Sequence, residues 1–248
     1  YGVAPLKYLG GSEEVDPRIA ERLEVIDAAA GEVTDSVYLS SPGDVALSDD
    51  GTIYAISRKN VVRVDMGEGN HEVIIDDVEN PRALTLDADG RIYVYDHDPD
   101  RKVIRVYLPD GEHARTIGEP GGYQPGPWNP QRMNHVMDIG IDSAGNLWVV
   151  DSTYYPKRVA QFTVDGEHIK DLFGPTRYGG NGVLDPWQKD RLFVGPCEFG
   201  LNWENGKVHL DNMTGQPHAG EVPVRVDGRT YLVTRPRFFT QSCGVVRP

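Results

Sequence analysis

Cysteine and methionine are scarce in this 248-residue sequence, with two and four respectively. The two cysteines, Cys197 and Cys243, could join in an oxidising compartment or remain small, partly buried thiols. Neither stands in a Cys-x-x-Cys spacing, so thiolate metal sites and dithiol redox chemistry have no support. No run of about 18 consecutive apolar residues occurs, so a membrane-spanning helix is not expected. The charged, apolar and small-residue zones of a secretory signal are also missing. Basic residues are the minority: 25 Lys and Arg face 38 Asp and Glu, a formal charge of −13. That balance argues against nucleic acid, whose phosphates need clustered Lys and Arg. It suits a soluble surface or attraction for cations. There is no Gly-x-Ser-x-Gly, no glycine-rich phosphate loop and no His-Glu-x-x-His, so three common catalytic designs lack their signatures.

Turn formers are plentiful, with 28 glycines and 18 prolines, and they punctuate a repeat. In residues 134–174, short β-rich runs at 139–141, 147–150, 158–164 and 168–173 are separated by Ser143-Ala144-Gly145 and Asp165-Gly166. Asp-Gly between apolar runs is a hairpin signal. Residues 80–118 follow the same grammar, with Asp89-Gly90 and Asp110-Gly111 as turns. The two turn glycines stand 21 residues apart in both copies, and Asp-Gly-Glu-His recurs at 110–113 and 165–168. A third copy begins at Ser41 with a shorter internal loop. Four strands repeating every ~40 residues are the mark of a β-propeller, whose blades bury their faces against one another. The expected fold is therefore all-β: a propeller of four-stranded antiparallel blades, of the six-bladed type and possibly incomplete in this chain.

One domain over 1–248 is expected, with clear blades at 41–77, 80–118 and 135–173 and divergent blades in 186–248. Residues 18–26 could be drawn as a helix. The run Leu23-Glu24-Val25-Ile26-Asp27 instead matches the third strand of the repeat, so 1–39 is read as a partial blade carrying the outer strands. The chain starts at Tyr1 and stops at Arg247-Pro248 without a closing motif, from which a larger parent protein is expected.

The repeat resembles the NHL repeat in the pattern [Ile/Leu]-x-[Ile/Leu]-Asp-x-x-Gly-x-[Ile/Leu]-[Tyr/Trp]-Val-x-Asp. Residues 80–96 and 134–151 fit, and 41–57 fits with Ser57 replacing the last Asp. Trp128–His135, Pro156–Val159 and Gly174–Gly180 resemble segments of large bacterial NHL-like proteins. The resemblance implies a propeller, an extracytoplasmic location and no single activity, because unrelated functions sit on this fold.

Equivalent blade positions point to one candidate ligand site. Ser41, Asn80 and His135 share one position; Gly43, Arg82 and Met137 a second; Asp44, Ala83 and Asp138 a third. Ser57, Asp96 and Asp151 end the second strand on the same face. Asp44, Arg82, His135 and Asp138 are expected around the mouth of the axial channel, with Asp96 and Asp151 behind them. Trp128 and Tyr155 are aromatic candidates for stacking on a sugar. Each residue has a structural alternative. Asp96 and Asp151 could bond loop amides, His135 could be a hydrogen-bonded loop residue, and the aromatics could pack on a neighbouring blade. Asp87 and Asp142 read as turn formers. Grouped Asp oxygens suit calcium, the one possible cofactor, although no Asp-x-Asp-x-Asp-Gly loop exists.

Three functions fit: a binding or scaffold module with a protein or carbohydrate partner, a metal-dependent hydrolase or lyase like the propeller lactonases and amidating lyases, and a polysaccharide-binding or -cleaving propeller. The missing catalytic signatures favour the first.

Overall fold

A computed structural model describes residues 21–152, 156–174, 182–213, 221–234 and 245–246, and these contain strands, turns and no α-helix. Segment 22–27 forms strand β1 (Arg22–Asp27), not a helix, and pairs with β2 (Glu32–Tyr38). Three four-stranded antiparallel sheets follow. The first holds β3 (Pro42–Leu47), β4 (Ile53–Ser57), β5 (Asn60–Asp65) and β6 (Asn70–Ile75). The second holds β7 (Pro81–Leu86), β8 (Ile92–Asp96), β9 (Val103–Tyr107) and β10 (His113–Ile117). After a short β11 (Gly126–Pro127) comes the third: β12 (Val136–Ile141), β13 (Asn146–Asp151), β14 (Lys157–Thr163) and β15 (His168–Gly174). Each sheet keeps its strands in sequence order, and β7 packs against both β3 and β12. These are successive blades of a β-propeller, with β3, β7 and β12 innermost.

The second strand of a blade shows why the blades need one another. All five residues of β8 are buried, at 0% exposure each. A strand covered on both faces does not alternate. One apolar cluster joins Tyr54, Ile56, Val61 and Ile75 to Leu84, Ile92 and Tyr107. Another joins Tyr93, Tyr95 and Ile104 to Met133, Leu147 and Phe162. Each large side chain buried this fully is worth about 1.5–3 kcal/mol over leaving it in water. The slot equivalent to Tyr93 is Trp148 in the third blade, and its indole is only half-buried, with the Lys170 ammonium 5.3 Å from the ring centre.

The turns between first and second strands close on a carboxylate. Asp87 Oδ1 accepts from the amides of Asp89 and Arg91 at 3.0 Å, and Asp142 Oδ1 from those of Ala144 and Asn146 at 2.9 and 2.8 Å. The outer turns touch the preceding blade. A Cβ on Gly111 would fall 2.1 Å from the Ile74 carbonyl oxygen, and one on Gly166 would crowd Ile117. At Gly111 the backbone also runs at φ +90°, where a side chain is strained.

By Cα proximity the chain divides into two compact units. The first comprises the described residues within 1–122, 131–151 and 159–171, and the second those within 123–130, 152–158 and 172–248. In the second, β11 joins the outer edge of a sheet made of β16 (Gly182–Leu184), β17 (Arg191–Val194), β18 (Cys197–Asn202) and β19 (Lys207–Met213). A further sheet holds β20 (Glu221–Val226), β21 (Arg229–Thr234) and β22 (Val245–Val246). Cys197 is a buried thiol, and burial pushes its pKa up to about 12. Cys243 lies outside the described residues.

Candidate functional site

The N-terminal ends of the inner strands are built by a repeated irregularity. In all three blades the first strand pair shifts register: between Pro42 and Val45, Pro81 and Ala83, and Val136 and Asp138. The shift is a β-bulge, which bends the strand and re-aims side chains. It falls on Gly43 and Asp44 in the first blade, on Arg82 in the second and on Met137, next to Asp138, in the third.

Asp96 and Asp151 brace this end from behind. Asp96 is fully buried and accepts from the amides of Asn80 at 3.0 Å and Asp98 at 3.2 Å, and from Arg101 Nη1 at 3.0 Å. Asp151, 1% exposed, accepts from the amides of Asn134 at 2.7 Å and His135 at 3.0 Å. In the first blade Ser57 takes the slot and donates to the Ser40 carbonyl at 3.0 Å. These carboxylates tie the approaching chain to the end of the second strand.

Asp44 spans two inner strands. Its Oδ2 accepts from the Leu84 amide at 2.8 Å and its Oδ1 from its own neighbour Val45 at 2.9 Å. Burial pushes the Asp44 carboxyl above its ordinary pKa; the two amides pull it back, and the Asp138 charge adds a small push upward. Asp138 is exposed and accepts from the Ile139 amide at 2.8 Å.

Arg82 and His135 meet. Arg82 Nη1 lies 3.2 and 3.3 Å from the two ring nitrogens of His135, and 3.3 Å from His97 Nε2. The two imidazoles stand edge to face, with centroids 5.1 Å apart. Behind them the Tyr95 hydroxyl donates to the Asn134 carbonyl at 3.2 Å, and His97 Nδ1 lies 3.4 Å from that hydroxyl. Lys102 Nζ donates to Asn134 Oδ1 at 2.6 Å. Burial, then the charge of Arg82 and the neighbouring His135 and Lys102, hold His97 below its ordinary pKa.

The structure thus brings Arg82 and His135 into contact, places Asp44 and Asp138 on the flanking inner strands, and sets Asp96 and Asp151 as backbone braces. Trp128 belongs to the second unit, where it packs against Tyr123, Phe173 and the Arg158 guanidinium. Tyr155 lies outside the described residues. Sequence reasoning missed His97, Lys102 and Asn134. His97 directly follows Asp96, and the segment 97–100 reads as a short acidic loop until the fold turns the imidazole toward Arg82. Lys102 carried no signal at all; it sits at φ +52°, an uncommon conformation for a residue with a side chain. Among the described residues no group of three or more His, Cys, Asp or Glu converges to hold a metal ion.

No protein-family model matches the chain, and no curated protein matches its sequence. Solved structures resemble it in fold. A Bacteroides caccae protein of unknown function is 15% identical, covering 86% of this chain and 78% of that one, with a TM-score of 0.45. A chain of the nidogen/laminin complex is 17% identical, covering 86% and 81%, with a TM-score of 0.46. Virginiamycin B lyase from Staphylococcus aureus is 16% identical, covering 78% of this chain and 63% of that one, with a TM-score of 0.46. The class defined by the sheets themselves is a β-propeller with a polar cluster at the N-terminal ends of its inner strands.

Proposed function

We propose that this chain is an NHL-type propeller serving as an extracytoplasmic binding or scaffold module of a larger protein, with its ligand or protein partner seated at the N-terminal ends of the inner strands. One observation carries this reading. The buried carboxylates nearest the site, Asp96 and Asp151, are committed to backbone amides, whereas Arg82, His97 and His135 are only partly buried. Committed carboxylates brace a surface; half-exposed donors recognise something.

The test has two arms. The chain is assayed against lactone and peptide-amidating-lyase substrates with and without millimolar calcium, and screened on glycan and peptide arrays. The expected result is no turnover, no calcium-dependent rise in unfolding temperature, and at least one array ligand whose capture is lost in Arg82→Gln/His135→Gln. Turnover that disappears in Asp44→Ala/Asp138→Ala would replace the binding module with a calcium-dependent enzyme.

A further inference from the structure

We propose that Arg82, His97, His135 and Lys102 form a binding site for a carboxylate monoanion. The inference rests on the binding reading above and gives its ligand a chemical class.

The first ground is an arginine without an acid. Arg91 pairs with Asp87 and Asp89, Arg101 with Asp96, and Arg105 with Asp77. Among the described residues no carboxylate lies within salt-bridge reach of Arg82; its partners are imidazole nitrogens. Arg58 also has no acid in reach among the described residues and donates to the Ser40 hydroxyl; Arg82 differs in facing two imidazoles. A guanidinium only donates, so in the unliganded chain an imidazole nitrogen that it addresses presents a lone pair. Arg82 Nη1 lies almost equidistant from both nitrogens of His135, at 3.2 and 3.3 Å, and so addresses at most one of them well. Much of the guanidinium's fork of five donors is left for an incoming group.

The second ground is the company it keeps. Lys102 adds another positive charge, held by the neutral Asn134 side chain rather than by an acid. The nearest buried acids, Asp96 and Asp151, direct their oxygens at backbone amides and, for Asp96, at Arg101. A planar carboxylate matches the guanidinium fork in two parallel hydrogen bonds. A doubly charged phosphate would gain less, because Asp44 and Asp138 on the flanking inner strands repel a second negative charge.

His97 gives the site a pH sign. Burial first, then Arg82, His135 and Lys102, press its proton off, with Asp151 pulling the other way and the Tyr95 hydroxyl as its uncharged neighbour. A bound anion favours the imidazolium, so binding takes up protons and tightens as pH falls through the histidine range.

The experiment follows the unfolding temperature of the chain at fixed ionic strength while acetate, glucuronate or inorganic phosphate is added; a ligand of the native state raises the midpoint in proportion to its affinity. The two carboxylates should give saturable rises, larger at pH 5.5 than at pH 8, and phosphate a smaller one. Arg82→Gln should abolish the rise, Arg82→Lys should weaken affinity tenfold or more, and Lys102→Gln should weaken it severalfold while leaving the Arg82–imidazole contacts in place. Unliganded midpoints confirm that each variant folds, and Lys102→Gln remains decisive should Arg82→Gln unfold. Equal rises in wild type and Arg82→Gln, no rise with either carboxylate, or tighter binding of phosphate would overturn the proposal. If both carboxylates fail while a neutral array ligand is still captured and lost in Arg82→Gln/His135→Gln, the carboxylate inference falls and the binding module stands.

Discussion

Asp96 is fully buried, and its carboxylate meets the amides of Asn80 and Asp98 together with the Arg101 guanidinium. Removing it takes the acceptor from all three donors at once. Asp96→Ala is expected to cost about 3 kcal/mol or more, read as a lowered urea midpoint with an unchanged slope. Position in the repeat also grades the aromatic slot. Tyr93 is fully buried, so Tyr93→Ala should cost about 3–5 kcal/mol; the half-buried Trp148 should cost about half that. Urea unfolding of the pair checks the ratio. Trp148 still anchors its turn, because the indole N–H donates to Asp142 Oδ2 at 2.8 Å. That bond first, and the Asn146 amide next, hold the Asp142 carboxyl at about 2. A carboxyl depressed in the folded state stabilises above its unfolded value of about 3.9 and loses that contribution as pH falls toward its folded one. Wild type should therefore lose stability between pH 4 and pH 2, and Asp142→Asn should lose less over the same window, followed by unfolding midpoints at each pH. A repeat alignment reads which slot a side chain fills; it does not read how much of that slot the surroundings cover, which is why Tyr93 and Trp148 look alike in sequence and differ in exposure.

At the scale of strands and turns, the glycines divide into two kinds. A Cβ on Gly145 meets nothing within 4 Å at φ +79°, whereas one on Gly111 meets the Ile74 carbonyl oxygen at 2.1 Å. Gly145→Ala should cost about 1 kcal/mol of backbone strain. Gly111→Ala should cost several times more, because main chain of the neighbouring blade must move; parallel thermal melts distinguish the two. Strand order and turns were legible because Asp-Gly turns and apolar runs recur with one spacing, and the strand reading of 22–27 followed from that repeat against its helical propensity. The short β11 was not legible. Gly126-Pro127 has no strand character of its own, and it is strand only because it pairs with Met213 and Asn212 of β19. The candidate site was half legible for a related reason. Arg82 and His135 occupy repeat positions and could be aligned, whereas His97 and Lys102 sit in a loop whose length and course differ from blade to blade.

For the whole molecule, a charge of −13 opposes compactness by self-repulsion. Raising sodium chloride from about 10 to about 100 mM shortens the screening length from about 30 to about 10 Å. The unfolding temperature should rise over that interval in a calorimeter; a fall would mean that ion pairs such as Arg105–Asp77 and Arg91–Asp87 outweigh the net repulsion. The outer turns have a consequence at this scale. Gly111 rests on the blade before it, and Gly166 does the same, so each repeat carries a fitting made for its predecessor. That gives the array a direction of inheritance. Copying a unit in one piece, from the start of its inner strand through the end of its last strand, carries plug and socket together, so the copy can seat on its parent. A copy broken between the outer turn and the last strand would separate the two, so descent by duplication should preserve the blade whole.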